Sequence, residues 1–176
     1  MYILFTILII IAIPLILALF LQNEYVIERS IIIDKSSQEV FNYIKLLRNS
    51  VYYNKWVMLD PDLKKDFKGT DGTVGFIYYW DSNNKQVGKG EQEITGISEG
   101  NRVDYEIRFK KPFEGSSAAY IITVAKPGNQ TEVSWVFKGT RTYMMKLMHL
   151  LLNLKKVLGN DLATSLLNLK TVLEKQ

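Results

Sequence analysis

Glu91 and Glu93 come nearest, by type and spacing, to a pair that could do acid–base chemistry. Two residues apart on an extended segment, they share one face. Two carboxylates in different environments can divide into an acid and a base. The competing reading is a pair of solvated charges, because carboxylates seldom stay buried without partners. We favour that second reading, which turns Gln92 and Ile94 inward. The other reagents of catalysis are scarce. The chain has no cysteine and one histidine, His149. That composition excludes zinc sites built on cysteines or several histidines and gives no support to Ser-His-Asp or Cys-His nucleophiles. His149 stands among leucines and reads as a packed or boundary residue. "GKGEQE" places two glycines beside a strand, but no helix follows to receive a phosphate. No catalytic residue, metal ligand or cofactor is therefore assigned.

The aromatic residues are the better clue. Phe76, Tyr78 and Trp80 alternate on one strand face, and Val133, Trp135 and Phe137 do so on another. Rings with a polar tip line ligand pockets, where the ring packs and the tip orients. The candidate ligand-binding residues are Tyr78, Trp80, Tyr105, Phe109, Tyr120 and Trp135. Met145 and Met148 are expected to form an adaptable wall on the last helix.

Several elements must hold these side chains. "YVIERSIIID" (25–34) is rich in β-branched residues and reads as a strand. "SSQEVFNYIKLL" carries the S-x-x-E pattern of a capping box at Ser36 and Glu39, then apolar residues at helical spacing. A short second helix is expected before Pro61. Strands follow at 72–81, 87–97 and 102–111, and then "AAYIITVA" and "TEVSWVFKG" are joined by a "KPGNQ" turn. From about Arg141, leucines recur every three or four residues to Leu173, predicting one long helix with a possible kink at Gly159.

The segment from Tyr2 to Leu21 has no charged residue, and fifteen of the nineteen residues from Ile3 to Leu21 are Ile, Leu or Phe. Insertion of such a run into a bilayer is favourable by about 5 kcal/mol. No basic residue precedes it and no A-x-A-like site follows, so it does not read as a cleaved signal peptide. The expectation is a single-pass anchor over residues 1–23 with a membrane location, followed by one domain over 24–176. The flanking charges leave the side of the membrane open. The net charge of +4 falls entirely within residues 141–176. Its lysines are dispersed, as on a solvated helix face, and no basic run or recognition motif points to nucleic acid.

In order and spacing, the pieces "YVIERSIIIDKSSQEVFNYI", "GTVGFIYYW", "GKGEQEITGI", "TEVSWVFKG" and "VLGNDLATSLLNLKTVLE" resemble the SRPBCC (START-like) superfamily, within it the bacterial polyketide cyclase/dehydrase-like group. The resemblance implies an α+β helix-grip fold, a curved seven-stranded antiparallel sheet around a long C-terminal helix with a hydrophobic cavity between them. It implies no universal catalytic residue. Three functions follow as expectations. The first is membrane-tethered binding, as carrier or sensor, of a hydrophobic small molecule such as a lipid or quinone. The second is a polyketide cyclase or aromatase, and the third is a module that binds a protein partner.

Overall fold

The computed structural model describes residues 2–175 apart from Phe113; the side chains of Leu4, Phe5, Ile11, His149 and Leu151 are outside the described set, and the reading of His149 lies there with them. Seven antiparallel strands form one sheet in the order β1-β7-β6-β5-β4-β3-β2. They are β1 (Glu24–Ile33), β2 (Lys64–Lys68), β3 (Ile77–Asp81), β4 (Lys89–Ser98), β5 (Arg102–Lys111), β6 (Gly115–Lys126) and β7 (Gln130–Thr140). The helices are α1 (Tyr2–Phe20), α2 (Ser37–Lys45), α3 (Lys55–Met58), α4 (Tyr143–Leu152) and α5 (Leu154–Glu174). This is the expected α+β helix-grip arrangement, with α5 lying on the sheet against β1.

Local chemistry sets the element boundaries. Ser36 Oγ accepts from the Glu39 N–H at 3.3 Å, and Glu39 Oε2 accepts from the Ser36 N–H at 3.1 Å, closing the capping box that starts α2. The short second helix divides into a 3-10 turn at Leu47–Tyr52 and α3, the latter capped by Asn54. Strand β2, "KKDFK", was not foreseen, because four charged residues around Phe67 hide its alternation. It lies at the edge of the sheet, where charge discourages pairing with other chains.

The C-terminal helix differs from expectation. It is two helices, broken at Asn153, whose φ of 46° and ψ of 48° are left-handed. Asparagine tolerates that region better than most residues. Gly159 stays inside α5 and does not kink it; a Cβ there would stand 2.2 Å from Arg29 Nη2, so the missing side chain makes room for an arginine of β1. The leucine stripe divides accordingly. Leu162, Leu166, Leu169 and Leu173 enter the core with Ile27, Phe41, Ile94 and Ile121.

The N-terminal segment forms α1, with Pro14 inside it. The expectation of an anchor through residues 2–21, and of a membrane location, is corrected here: among the described residues, no helix is long and apolar enough to cross a membrane. The helix packs along α4. Ala18 is fully buried, and Tyr143 Oη donates to the Leu15 carbonyl at 3.0 Å. Arg141 Nη1 donates to the Gln22 carbonyl at 3.1 Å, which fixes the exit of α1 beside the entry of α4.

Neighbouring leucines on α5 test this packing. Leu166 is 1% exposed and Leu167 is 56% exposed. Leu166→Ala is expected to cost about 2–5 kcal/mol, and Leu167→Ala less than about 0.5 kcal/mol, read as unfolding midpoints in urea.

Candidate functional site

The strand register builds the site. Tyr78 of β3 lies opposite Gln92 of β4, which lies opposite Ile107 of β5. The next row along the strands is Trp80, Gly90 and Phe109. Directly opposed residues in an antiparallel pair share a face, so both rows point to the concave side. At Gly90 the row has no side chain. A Cβ there would fall 2.5 Å from Trp80 Cζ2 and 2.5 Å from the Arg108 carbonyl oxygen. The indole therefore lies over β4 and reaches Phe109 edge-on, with ring centroids 6.2 Å apart. Its Nε1–H donates to the Val87 carbonyl at 3.2 Å. A register shift between Lys89 and Gly90 marks a bulge in β4 here.

The opposite wall comes from helices. Asn54 Oδ1 accepts from the Trp56 N–H at 3.0 Å, starting α3. The Lys55 N–H donates to Ser165 Oγ at 3.0 Å, and the Lys55 ammonium pairs with Asp161, so α3 is tied to α5. Trp56 and Val57 of α3 and Leu158 and Leu162 of α5 then face the sheet across a cavity of about 240 Å³. Trp135 and Phe137 of β7 complete the apolar lining.

Of the candidate residues, Tyr78, Trp80, Phe109 and Trp135 meet around this cavity. The others do not. Tyr105 is buried in the core, where its hydroxyl donates to the Ile44 carbonyl at 3.3 Å and joins β5 to α2. Tyr120 lies on the other face of the sheet beneath Arg102, whose guanidinium carbon is 3.7 Å from the ring centroid. Its cross-strand partner Asp104 belongs to the same polar face as Glu106 and Arg108. Met145 and Met148 stand on α4, which the break at Asn153 separates from α5, and neither lines the cavity. Sequence reasoning missed Trp56, Gln92, Phe137, Leu158 and Leu162 as lining residues. Phe137 shares a face with Trp135, and Gln92 with Ile94, so alternation could have found both; Trp56 depends on the docking of α3.

Polar groups in the site are few. Tyr78 is 3% exposed and Gln92 9%. Among the described residues, the Tyr78 hydroxyl has no hydrogen-bond partner. Burial holds its phenol well above the usual tyrosine range, so it is neutral at ordinary pH. Asn54, Gln86 and Lys111 also border the cavity. Glu91 and Glu93 lie outside, on the convex face. Arg108 donates to Glu91 Oε1 at 2.6 Å and to Glu93 Oε2 at 2.7 Å, and it also pairs with Glu106. The Arg108 hydrogen bond, and then that of Lys110, lower the Glu91 carboxyl below its usual range. Both glutamates serve as ion-pair partners far from the cavity side. No group of three His, Cys, Asp or Glu suited to a metal ion occurs among the described residues.

No family model matches the sequence, and no curated protein matches it. Solved structures do match in fold. A Thermobifida fusca protein solved by NMR is similar over 85% of this chain and 93% of that one, with a TM-score of 0.65 and 13% identity. The Aha1 dimer from Colwellia psychrerythraea matches over 85% of this chain and 96% of that one, with a TM-score of 0.58 and 18% identity. Truncated norcoclaurine synthase from Thalictrum flavum matches over 87% and 95%, with a TM-score of 0.63 and 11% identity. These neighbours are of the SRPBCC, or START-like, type, and the chain has their helix-grip fold.

Two outcomes check the geometry. Gly90→Ala is expected to displace Trp80, to cost about 1–3 kcal/mol by overpacking, and to shift the tryptophan emission of the folded protein. Burial also raises the phenol pKa of Tyr53, Tyr78 and Tyr105. The unfolded chain then loses these protons first, near pH 10. The folded state binds more protons there, so stability is full below about pH 10 and falls as pH rises above it, measurable as a urea midpoint from pH 8 to 11.

Proposed function

We propose that this domain binds one apolar small molecule in the cavity between its sheet and α5. The observation that carries the reading is the lining: six aromatic rings from β3, β5, β7 and α3 around about 240 Å³, with only a few polar groups among them. Such a site gains affinity by removing apolar surface from water and takes orientation from a small number of polar atoms. Among the described lining residues the ionisable side chains are Tyr78 and Lys111. No carboxylate is among those described lining residues, which favours binding over carboxylate-driven acid–base turnover. The fold adds support by analogy, since norcoclaurine synthase, similar in fold at 12% identity, has been solved in complex with dopamine and hydroxybenzaldehyde.

The space sets a size. A water occupies about 30 Å³ in the liquid, so the cavity holds on the order of ten non-hydrogen atoms. A lipid or quinone would have to leave its tail outside. The test is mass spectrometry of organic extracts from the full chain, purified from its native host without detergent. A defined apolar compound at near-stoichiometric amount is expected. An empty protein, whose tryptophan emission is also unchanged by added naphthalene, would overturn the reading.

A further inference from the structure

Within the apolar wall, two polar side chains stand side by side, Tyr78 and Gln92. Tyr78 and Gln92 are directly opposed in the β3–β4 register, both line the cavity, and both are at least nine-tenths buried. The Tyr78 hydroxyl has no hydrogen-bond partner among the described residues, and the Gln92 carboxamide lies beside it on the cavity wall. Leaving a buried donor unsatisfied costs about 1–3 kcal/mol. Apolar substitution would remove that cost: phenylalanine fills the Tyr78 position with the same ring, and leucine or methionine fills the other. Two neighbouring polar groups are engaged within the protein. Trp80 Nε1 is bonded to Val87, and Asn54 Oδ1 caps α3.

Building on the binding function proposed above, we infer that Tyr78 and Gln92 form the recognition pair of the cavity, and that its ligand is a compact, neutral aromatic molecule bearing a carbonyl or hydroxyl group. Each part of that description follows from a different observation. The size comes from the cavity volume. The aromatic character comes from the walls: Trp80 and Phe109 are edge-on to each other, and Phe67 stacks behind Tyr78 with centroids 5.3 Å apart. Flat rings pack against such surfaces with offset or edge geometry. Neutrality comes from the pair itself. A phenol and a carboxamide offer O–H and N–H donors and an amide acceptor, but no charge to balance an anion. A carboxylate taken in beside Tyr78 and Gln92 would lose its hydration with no charge in that pair to balance it; the lining ammonium, Lys111, belongs to an exposed residue.

A carbonyl placed between the two side chains accepts from Tyr78 Oη and from the Gln92 amide. A hydroxyl there accepts from one and donates to the Gln92 oxygen. Either satisfies the Tyr78 hydroxyl, which has no protein partner among the described residues, so discrimination against an analogue lacking the polar atom is strong.

Three probes of similar shape separate the possibilities on the full chain, titrated by tryptophan fluorescence: naphthalene, 2-acetonaphthone and 2-naphthoate. The ketone is expected to bind about tenfold more tightly than either of the others. Tyr78→Phe should lower ketone affinity about tenfold, leave naphthalene affinity unchanged or raised, and leave the folded protein at least as stable. Gln92→Leu should repeat this selective loss through an independent position. If ketone and naphthalene bind equally and neither substitution separates them, the recognition pair is overturned while the cavity reading stands. Tighter binding of naphthoate overturns the neutral ligand. If none of the three binds, the cavity function fails and this inference falls with it.

Discussion

The absent side chain at Gly90 governs the cavity. A strand face that alternates large residues would fill the space between sheet and helix with its own side chains. Here the row from Trp80 to Phe109 passes over a position where even a methyl group would meet the indole and the Arg108 carbonyl. Trp80 can therefore lie down across β4 and not project toward α5. Its Nε1–H is spent on the Val87 carbonyl, which holds the ring flat. The neighbouring row, Tyr78–Gln92–Ile107, keeps full side chains and supplies the polar pair. Cavity and recognition elements are consecutive rows of one register, and a one-residue slip would send both to the convex face.

The two faces of the sheet divide the labour. The convex face carries Arg108 among Glu91, Glu93 and Glu106, together with Arg102 over Tyr120. Such partly exposed pairs contribute little stability each. The concave face is left mostly to aromatic and aliphatic groups, whose burial drives folding, although Arg29, opposite Trp135, also lies there against Gly159. Where a polar group does appear there, it is either bonded to backbone, as Tyr105 is to Ile44, or unpartnered at the cavity, as Tyr78 is.

Helices close the remaining side through a few directional contacts. The link from Lys55 N–H to Ser165 Oγ and the Lys55–Asp161 pair dock α3 on α5. That docking brings Trp56 over the cavity. The left-handed residue Asn153 separates α5 from α4, so that α5 follows the sheet while α4 pairs with α1. Gly159 admits Arg29 against α5, allowing a charged residue of β1 to lie under the helix.

Local patterns in the sequence determined much of this protein. The capping box at Ser36, the strand at 102–111 and the outward pair Glu91 and Glu93 are short-range signals, set by period and by conformational preference. Four cavity-lining aromatics were legible for the same reason. Long-range register and helix docking decided the rest. Alternation tells which residues share a face of one strand, but not which strand lies beside it; Tyr105 and Trp135 are both buried, yet Trp135 lines the cavity while Tyr105 closes against Ile44 of α2. Leucine spacing runs through Asn153 without interruption, so the break there, and the loss of Met145 and Met148 from the site, depend on what each half packs against. The apolar run at the N-terminus set a helix, whereas its pairing with α4 emerged only from the tertiary structure. Periodicity records what a segment must bury, and the partner that buries it is chosen by the whole chain.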